Sequence, residues 1–385
     1  MSVTAKDPSA SAPEIDFVHT DPGTLAGKYL RRSWHPVYCS RDLEVGQAMP
    51  IRIMGEDFTL YRGASGKAFV VSSRCPHRRT LLSTGWVEGD SIRCVYHGWR
   101  FDDGGQCVEQ PAEPAPFCHK VKIASYPVQE HLGLVFVYFG EGTPPPMPLY
   151  PQGEAFIKEH PGQASVAILP FNFFASMENI VDYAHTYFVH SVGTEAALPR
   201  RERAIPPLHV DETSFGFTQS MTHADRADDH PYKVSHIHFL MPNHCHIYEF
   251  ETDSTLLFWY VPIDDTKHLH FIVHFNRRMG PPERGFIGDL TEDIKTVLSG
   301  RKRLWEMKGR YAFMIRLQDA VAIAGQGPIA ERTGERLGQE DAGVIFLRQL
   351  WKRELGALAK GKEPKVFEHP AELHGFMTGS PRKEL

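Results

Sequence analysis

Cysteine is scarce in this chain, six in 385 residues, and no spacing among the six suggests a disulfide framework. Cys39, Cys107, Cys118 and Cys245 stand isolated, and a chain with so few thiols suits a reducing cytoplasm. No run approaches the roughly 18 apolar residues that span a membrane. Met1 to Asp16 is small and polar, which reads as a flexible tail and not as a secretory signal. Neither sign of charge dominates: Lys+Arg 42 against Asp+Glu 47 argues against nucleic acid as a main partner. A Gly-rich dinucleotide fingerprint after a strand is also missing, so the chain shows no nicotinamide-binding motif of its own. What remains is ordinary globular composition, with length for two or three domains.

The two remaining cysteines organise the chain. Cys75-Pro76-His77 is followed, after sixteen intervening residues, by Cys94-Val95-Tyr96-His97-Gly98-Trp99. Each short loop offers one thiolate and one neutral imidazole nitrogen. Two cysteines on one iron and two histidines on the other form a Rieske [2Fe-2S] centre, whose potential lies at roughly −150 to +300 mV because imidazole leaves less negative charge on the cluster. Pro76 stiffens the first loop, and Gly98 permits a tight turn after the second histidine. A structural zinc site accepts the same donors, although zinc fingers usually pair cysteines with cysteines and histidines with histidines.

In chain order, Thr24 to Arg32 predicts a short helix capped by Asp21 or Thr24. Strands are expected at 37–39, 49–54, 57–62, 68–72, 92–94 and 133–139. Gln110 to Pro116 contains too many prolines for a central strand and reads as a loop. The Pro144-Pro145-Pro146-Met147-Pro148 segment favours extended polyproline and marks a boundary. The expected domains are a tail and short helix over 1–33, a cluster domain over 34–140 and a second domain over 141–385. In the last, 164–170 reads as a strand, 171–190 as a helix and 206–278 as an antiparallel sheet with alternating runs at 214–223, 232–240, 244–250, 255–262 and 268–277. A long helical segment runs from Pro282 to about Gly325, and a further helix covers about 341–360. A sheet followed by helices is an α+β arrangement.

A second constellation lies in the 171–190 helix. His185 and His190 are five residues apart, about 140° on an ideal helix, so they share no face unless the helix loosens between them. A π-bulge or 3₁₀ turn near 186–188 would bring them together. Asp182, three residues before His185, is placed to accept a hydrogen bond from its second ring nitrogen. Two histidines and one carboxylate make the open-sided triad of non-haem Fe(II) oxygenases. Asp319 is the best third ligand, because an acid inside Ile315-Arg316-Leu317-Gln318-Asp319-Ala320-Val321 needs a partner to be buried. Asp289, Asp293 and Asp341 stand in more polar surroundings.

The patterns C-P-H-R, C-x-Y-H-G-W and D-x2-H-x4-H together resemble the cluster and mononuclear-iron motifs of Rieske non-haem iron oxygenases, and the likeness covers nearly the whole chain. The resemblance implies a terminal oxygenase that uses O2 to hydroxylate or demethylate a small, aromatic substrate. It implies a [2Fe-2S] cluster on Cys75, His77, Cys94 and His97, and Fe(II) on His185, His190 and Asp319. It further implies an N-terminal β Rieske domain, and a catalytic domain whose curved antiparallel sheet wraps a long C-terminal helix, a helix-grip or START-like fold. A separate flavin and iron–sulfur reductase or a ferredoxin would supply electrons. The Asn179-x2-Asp182 spacing is similar to the homotrimeric group of phthalate oxygenases and O-demethylases. In that group Asp182 would bridge His185 of its own subunit and His97 of the partner subunit.

His236, His238, His244 and His246 read as sheet-face or pocket residues. Phe173, Phe174, Tyr187, Phe188, Phe258 and Trp259 are either pocket wall or plain core. Arg200, Arg201 and Arg203 form either an acid-recognition patch or a solvated loop. A Rieske electron carrier, or a module that merely carries a hydrophobic ligand, would leave His185, His190 and Asp319 without a purpose.

Overall fold

A computed structural model describes residues 15–191, 205–224, 226–228, 233–249, 254–275, 286–307 and 311–369. The expected tail over 1–14 and Arg200, Arg201 and Arg203 lie outside these residues. The first helix, α1 (Leu25–Leu30), starts where Thr24 accepts a hydrogen bond from the Gly27 N–H at 3.0 Å. Three small antiparallel sheets follow. The first places Leu134–Tyr138 between Trp34–Cys39 and Val128–His131. The second runs Ala48–Ile53, Glu56–Arg62, Ala68–Ser72 and Ser125–Tyr126, and the third is built from four short strands between Trp86 and Glu109. The proline-rich segment has no regular element until Pro151, whose fixed φ opens α2 (Pro151–Glu159), a helix the sequence reading missed.

The second half is built on one eight-stranded sheet, whose strands are numbered within it. They are β1 (Ala164–Leu169), β2 (Leu208–Glu212), β3 (Gly216–Thr222), β4 (Val234–Leu240), β5 (His244–Glu249), β6 (Ser254–Asp264), β7 (Lys267–Phe275) and β8 (Phe286–Asp289). Their order is β2-β3-β4-β5-β6-β7-β1-β8, antiparallel except for the β1–β8 pair. Sequence alternation located most of these strands to within two residues. It missed β2 and β8.

The helix-grip or START-like expectation is not met. The sheet is open and does not curve round or close on a helix: among the described residues β2 pairs only with β3, and the four-residue β8 pairs only with β1. Closure needs two outer strands that meet, and these outer strands lie at opposite ends of the order. The segment from Pro282 is likewise no single long helix. It contains β8, α4 (Thr291–Leu298) and α5 (Tyr311–Ala324), and α6 (Ala342–Ala359) comes after it.

Helix α3 (Phe173–Val181) packs between the sheet and α6. Its start is fixed by Asn172, which accepts from the Phe174 N–H and donates to the carbonyls of Val18 and Asp265 at 2.9 and 2.8 Å. Trp351 of α6 is fully buried against Tyr29, Phe173 and Phe174, and donates to the Pro242 carbonyl at 3.1 Å. The core around it is continuous with the first small sheet: Phe136 meets Trp259 edge-on at 5.6 Å.

Glu178 is the one buried acid of α3, and its carboxylate takes Arg332 at 2.8 Å and Arg348 at 2.6 Å. Arg348 also closes on Glu335, so α3 is tied to α6 through a desolvated network. Glu178→Ala should destabilise the protein by roughly 3–5 kcal/mol, because it leaves buried guanidinium charge without its partner. Denaturant unfolding with an unchanged slope measures this, and an unmoved midpoint would dissociate the network from the stability of α3.

Candidate metal centres

The two cluster loops are near copies in backbone form. In the first, the Cys75 N–H donates to the Thr80 carbonyl at 2.9 Å and the Arg79 N–H to the Cys75 carbonyl at 2.9 Å. In the second, the Cys94 N–H donates to Trp99 at 2.8 Å and the Gly98 N–H to Cys94 at 3.1 Å. Each loop closes through a left-handed residue, Arg79 at φ 63° and Gly98 at φ 75°. Gly98 is further constrained, since a Cβ there would meet Pro111 Cγ at 2.7 Å.

This folding points both cysteines inward and both histidines outward. Cys75 and Cys94 are buried in a core with Leu82, Ile92, Trp99 and Phe101. His77 and His97 are half-buried, with ring centroids 4.4 Å apart. His77 stacks on Trp99 at 4.7 Å, and Tyr96 covers His97 at 3.9 Å. Burial, with the facing Cys94 sulfur adding to it, pushes the Cys75 thiol up to about 12. The Cys75 sulfur needs a cation beside it to be a thiolate. His77 Nδ1 is buried and has no hydrogen-bond partner among the described residues, as a nitrogen reserved for metal would be. The four residues therefore fit a Rieske cluster.

The second centre depends on where α3 stops. Asp182 is its C-cap and turns extended, with φ −86° and ψ 93°. The chain continues as 3₁₀ turns over Ala184–Tyr187 and Val189–Ser191. The expected continuous helix to His190 is thus replaced by the loosening that its histidine spacing required. His185 and His190 now converge on α5. Their Nε2 atoms lie 3.3 and 3.2 Å from Asp319 Oδ1, and the donor atoms of all three residues fall within 4.8 Å of one another.

Among the described residues, no other three His, Cys, Asp or Glu donors lie within 4.8 Å of one another. Burial alone would raise the Asp319 carboxyl, but the imidazoles of His190 and His185 outweigh it and hold the group well below the usual carboxylate range. Asp319 Oδ1 is buried, yet its side chain remains 24% exposed, which leaves the group accessible from one side. Two imidazoles and a carboxylate with an open side fit a mononuclear ferrous ion.

Two supporting contacts differ from expectation. His185 Nδ1 donates to the backbone carbonyl of Asp182, while the Asp182 carboxylate oxygen stands 3.9 Å away. Sequence spacing showed that the residues meet, but not which oxygen does the work. The Asp182 side chain is 30% exposed, and burial raises its carboxyl despite the opposing pull of His185. Gln318 was missed. It is fully buried, and its Oε1 lies 3.0 Å from His190 Nδ1, which fixes that nitrogen as the donor and leaves Nε2 for metal. Its place beside Asp319 was the available signal. Asn179 is half-buried in the last turn of α3, and no side-chain hydrogen bond of it is seen among the described residues.

His244 and His246 do share a sheet face, with Nε2 atoms 2.8 Å apart, and Tyr150 Oη is 3.1 Å from His244 Nε2. They form a buried polar cluster that is not part of the metal-ligand group.

Comparison with known proteins agrees with both centres. Residues 33–127 match the Rieske [2Fe-2S] domain. The chain is 32% identical over 368 residues to the oxygenase subunit of 5,5'-dehydrodivanillate O-demethylase from Sphingobium, which covers 91% of this chain and 81% of that protein. It is 28% identical to the oxygenase subunit of phthalate 4,5-dioxygenase from Pseudomonas putida, over 87% of this chain and 84% of that one. In fold it is similar to the terminal oxygenase of carbazole 1,9a-dioxygenase from Nocardioides aromaticivorans, with TM-score 0.61 and 20% identity, covering 89% of this chain and 100% of that one.

The chain belongs to the Rieske non-haem iron oxygenases, as a large subunit related to the phthalate and phenoxybenzoate type. It is an oxidoreductase, the terminal oxygenase component of such a system, which acts with O2 and electrons from a separate protein. Among the described residues no helix is long and apolar enough to cross a membrane.

Gln318→Leu should keep the fold and the cluster but weaken binding at the mononuclear site by about 10–100-fold, the usual consequence of losing the partner of a ligating histidine. Titrating Fe(II) into apo protein, with the cluster followed separately by its visible absorption, measures this. Undiminished affinity would make Gln318 a bystander.

Proposed function

We propose that Cys75, His77, Cys94 and His97 hold the cluster and that His185, His190 and Asp319 hold the ferrous ion, in a chain divided at about residue 140. The observation that carries this reading is the meeting of three donor side chains from two distant segments within 4.8 Å. When bound, the cluster supplies single electrons and the ferrous ion supplies the site at which O2 is activated. The protein does the rest. Asp182 and Gln318 orient the two imidazoles, so that both present Nε2 to one point. Asp319 offers a charged oxygen that the imidazoles keep deprotonated. Apolar residues of α5, among them Met314, Leu317 and Ile323, pack into a buried core with Leu169 and Phe171 and keep that side of the ligand helix dry.

The substrate is a small aromatic compound, hydroxylated or oxidatively demethylated. Curated relatives support this class by the names they carry: dehydrodivanillate O-demethylase, phenoxybenzoate dioxygenase and phthalate 4,5-dioxygenase. A ferredoxin or a flavin and iron–sulfur reductase delivers the electrons. Structures of the carbazole system that contain oxygenase and ferredoxin together support a partner of this kind. The exposed side chains of Val95 and Tyr96, beside outward-facing His97, support the cluster edge as the place where a partner arrives. The functional unit is a homotrimer in the cytoplasm. In it Asp182, with Asn179 beside it on α3, links one subunit's iron to the partner subunit's His97. The part-exposed Asp182 carboxylate, which is not the acceptor for His185 Nδ1, supports that role.

Anaerobically reconstituted protein should contain about three irons per chain, two in the cluster and one in the triad. His185→Ala should retain the cluster spectrum with about two irons and lose O2 uptake coupled to product. A variant that still carried three irons, or that turned over with a surrogate reductase, would remove the triad from the reaction. Product masses from an aromatic panel separate monooxygenation, dihydroxylation and demethylation.

A further inference from the structure

The buried polar cluster on β5 has no part in the account above. His244 and His246 stand on one face of the strand and are 2% and 0% exposed. Their Nε2 atoms lie 2.8 Å apart, and Tyr150 Oη is 3.1 Å from His244 Nε2. Tyr150 comes from a distant stretch, as the residue before α2, and is 3% exposed. Burial keeps both imidazoles neutral and pushes the Tyr150 phenol well above its ordinary value.

Hydrogen bonds alone do not satisfy this arrangement. His244 Nδ1 is 2.7 Å from the Phe258 carbonyl, which can only accept, so the single ring proton sits on Nδ1. His244 Nε2 is therefore a bare electron pair with one hydrogen bond to accept. Two groups converge on it, His246 Nε2 and Tyr150 Oη. When one of them donates its hydrogen, the other faces an electron pair that is already taken. A cation where the three donor atoms meet removes the conflict: each imidazole offers its electron pair, and the phenol releases its proton to solvent as the ion binds.

The surroundings suit a ligand set. A histidine that ligates metal commonly gives its other ring N–H to a carbonyl or carboxylate, as His244 does to Phe258. Its ring is also stacked on Trp259 with centroids 4.0 Å apart, which fixes its plane. The Tyr150 backbone is held as well: its N–H donates to His131 Nε2 at 2.8 Å, and His131 Nδ1 meets Glu154 at 3.0 Å. A third imidazole, His369, has its ring centroid 6.3 Å from that of His244. Its Nδ1 is buried and has no hydrogen-bond partner among the described residues. Imidazole nitrogens with one oxygen suit a first-row divalent ion, and a closed site without access to water is structural in kind.

We propose that His244, His246 and Tyr150 form a further metal site, separate from the cluster and the triad, that takes Zn2+, with His369 moving in as fourth ligand. The ion ties the stretch before α2 and the C-terminal segment to β5. None of these residues holds iron, so the outcome is independent of the oxygenase reading.

The test uses iron-loaded holoprotein, in which the cluster and the triad are already filled. After a weak chelator has removed loosely held metal, Zn2+ is titrated and metal per chain is measured by elemental analysis. One zinc per chain should bind at unchanged iron content, and anomalous diffraction at the zinc edge should place it between His244 and His246. His246→Phe should weaken zinc binding by more than the roughly 10–100-fold that losing a ligand's hydrogen-bond partner costs. Tyr150→Phe removes one oxygen and keeps the ring, so it serves where His246→Phe folds poorly, and it too should weaken binding. The wild-type stoichiometry needs no variant. No zinc beyond the irons, a zinc placed elsewhere, or undiminished affinity in either folded variant would overturn the proposal.

Discussion

The structure depends on the end of a helix. If α3 ran on through Asp182, His185 and His190 would point about 140° apart and no ion could use both. Because Asp182 turns extended and the next residues wind as 3₁₀, both imidazoles reach Asp319. The break is supported from both sides. Before it, Asn172 and Glu178 hold α3 to the chain around Asp265, to Arg332 and to α6. After it, the His185 ring hydrogen-bonds back to the Asp182 carbonyl, which would otherwise be an open helix end.

The two halves of the chain solve different problems with the same donor chemistry. The cluster loops bury sulfur and keep imidazole near the surface, which places the histidine edge where an electron partner can approach. The triad buries its ligand atoms deeper and leaves one side open. That asymmetry is what separates an electron port from a reaction site. The core shared through Phe136 and Trp259 joins the first small sheet to the large one. Repacking at that contact is therefore felt in both halves.

Much was legible in advance where the signal was local. The cluster loops could be read because each ligand pair sits within four residues. Strands β3 to β7 could be read because alternation leaves a mark in every second residue. Short strands such as β2 and β8 left too few residues for a pattern. The helix α2 hid behind prolines, of which Pro151 serves as the first helical residue. The curved sheet around one long helix came from the family resemblance and not from the residues, and a likeness of motifs does not carry the shape of a sheet. Helical periodicity marked apolar faces from Pro282 onward, but it does not record where a chain stops one helix and begins another, nor whether distant strand edges meet.

The sequence by itself determined the chemistry: two thiols and two imidazoles in tight loops, and two further imidazoles whose spacing demanded a distorted helix. Those are properties of neighbours along the chain. The apolar run around Asp319 nominated it, but tertiary structure alone brought it to the two imidazoles and set Gln318 and a backbone carbonyl to aim them. These contacts join residues as much as 134 positions apart, His185 with Asp319. A contact between such distant positions depends on how helices and strands pack, and no periodicity in either segment encodes it.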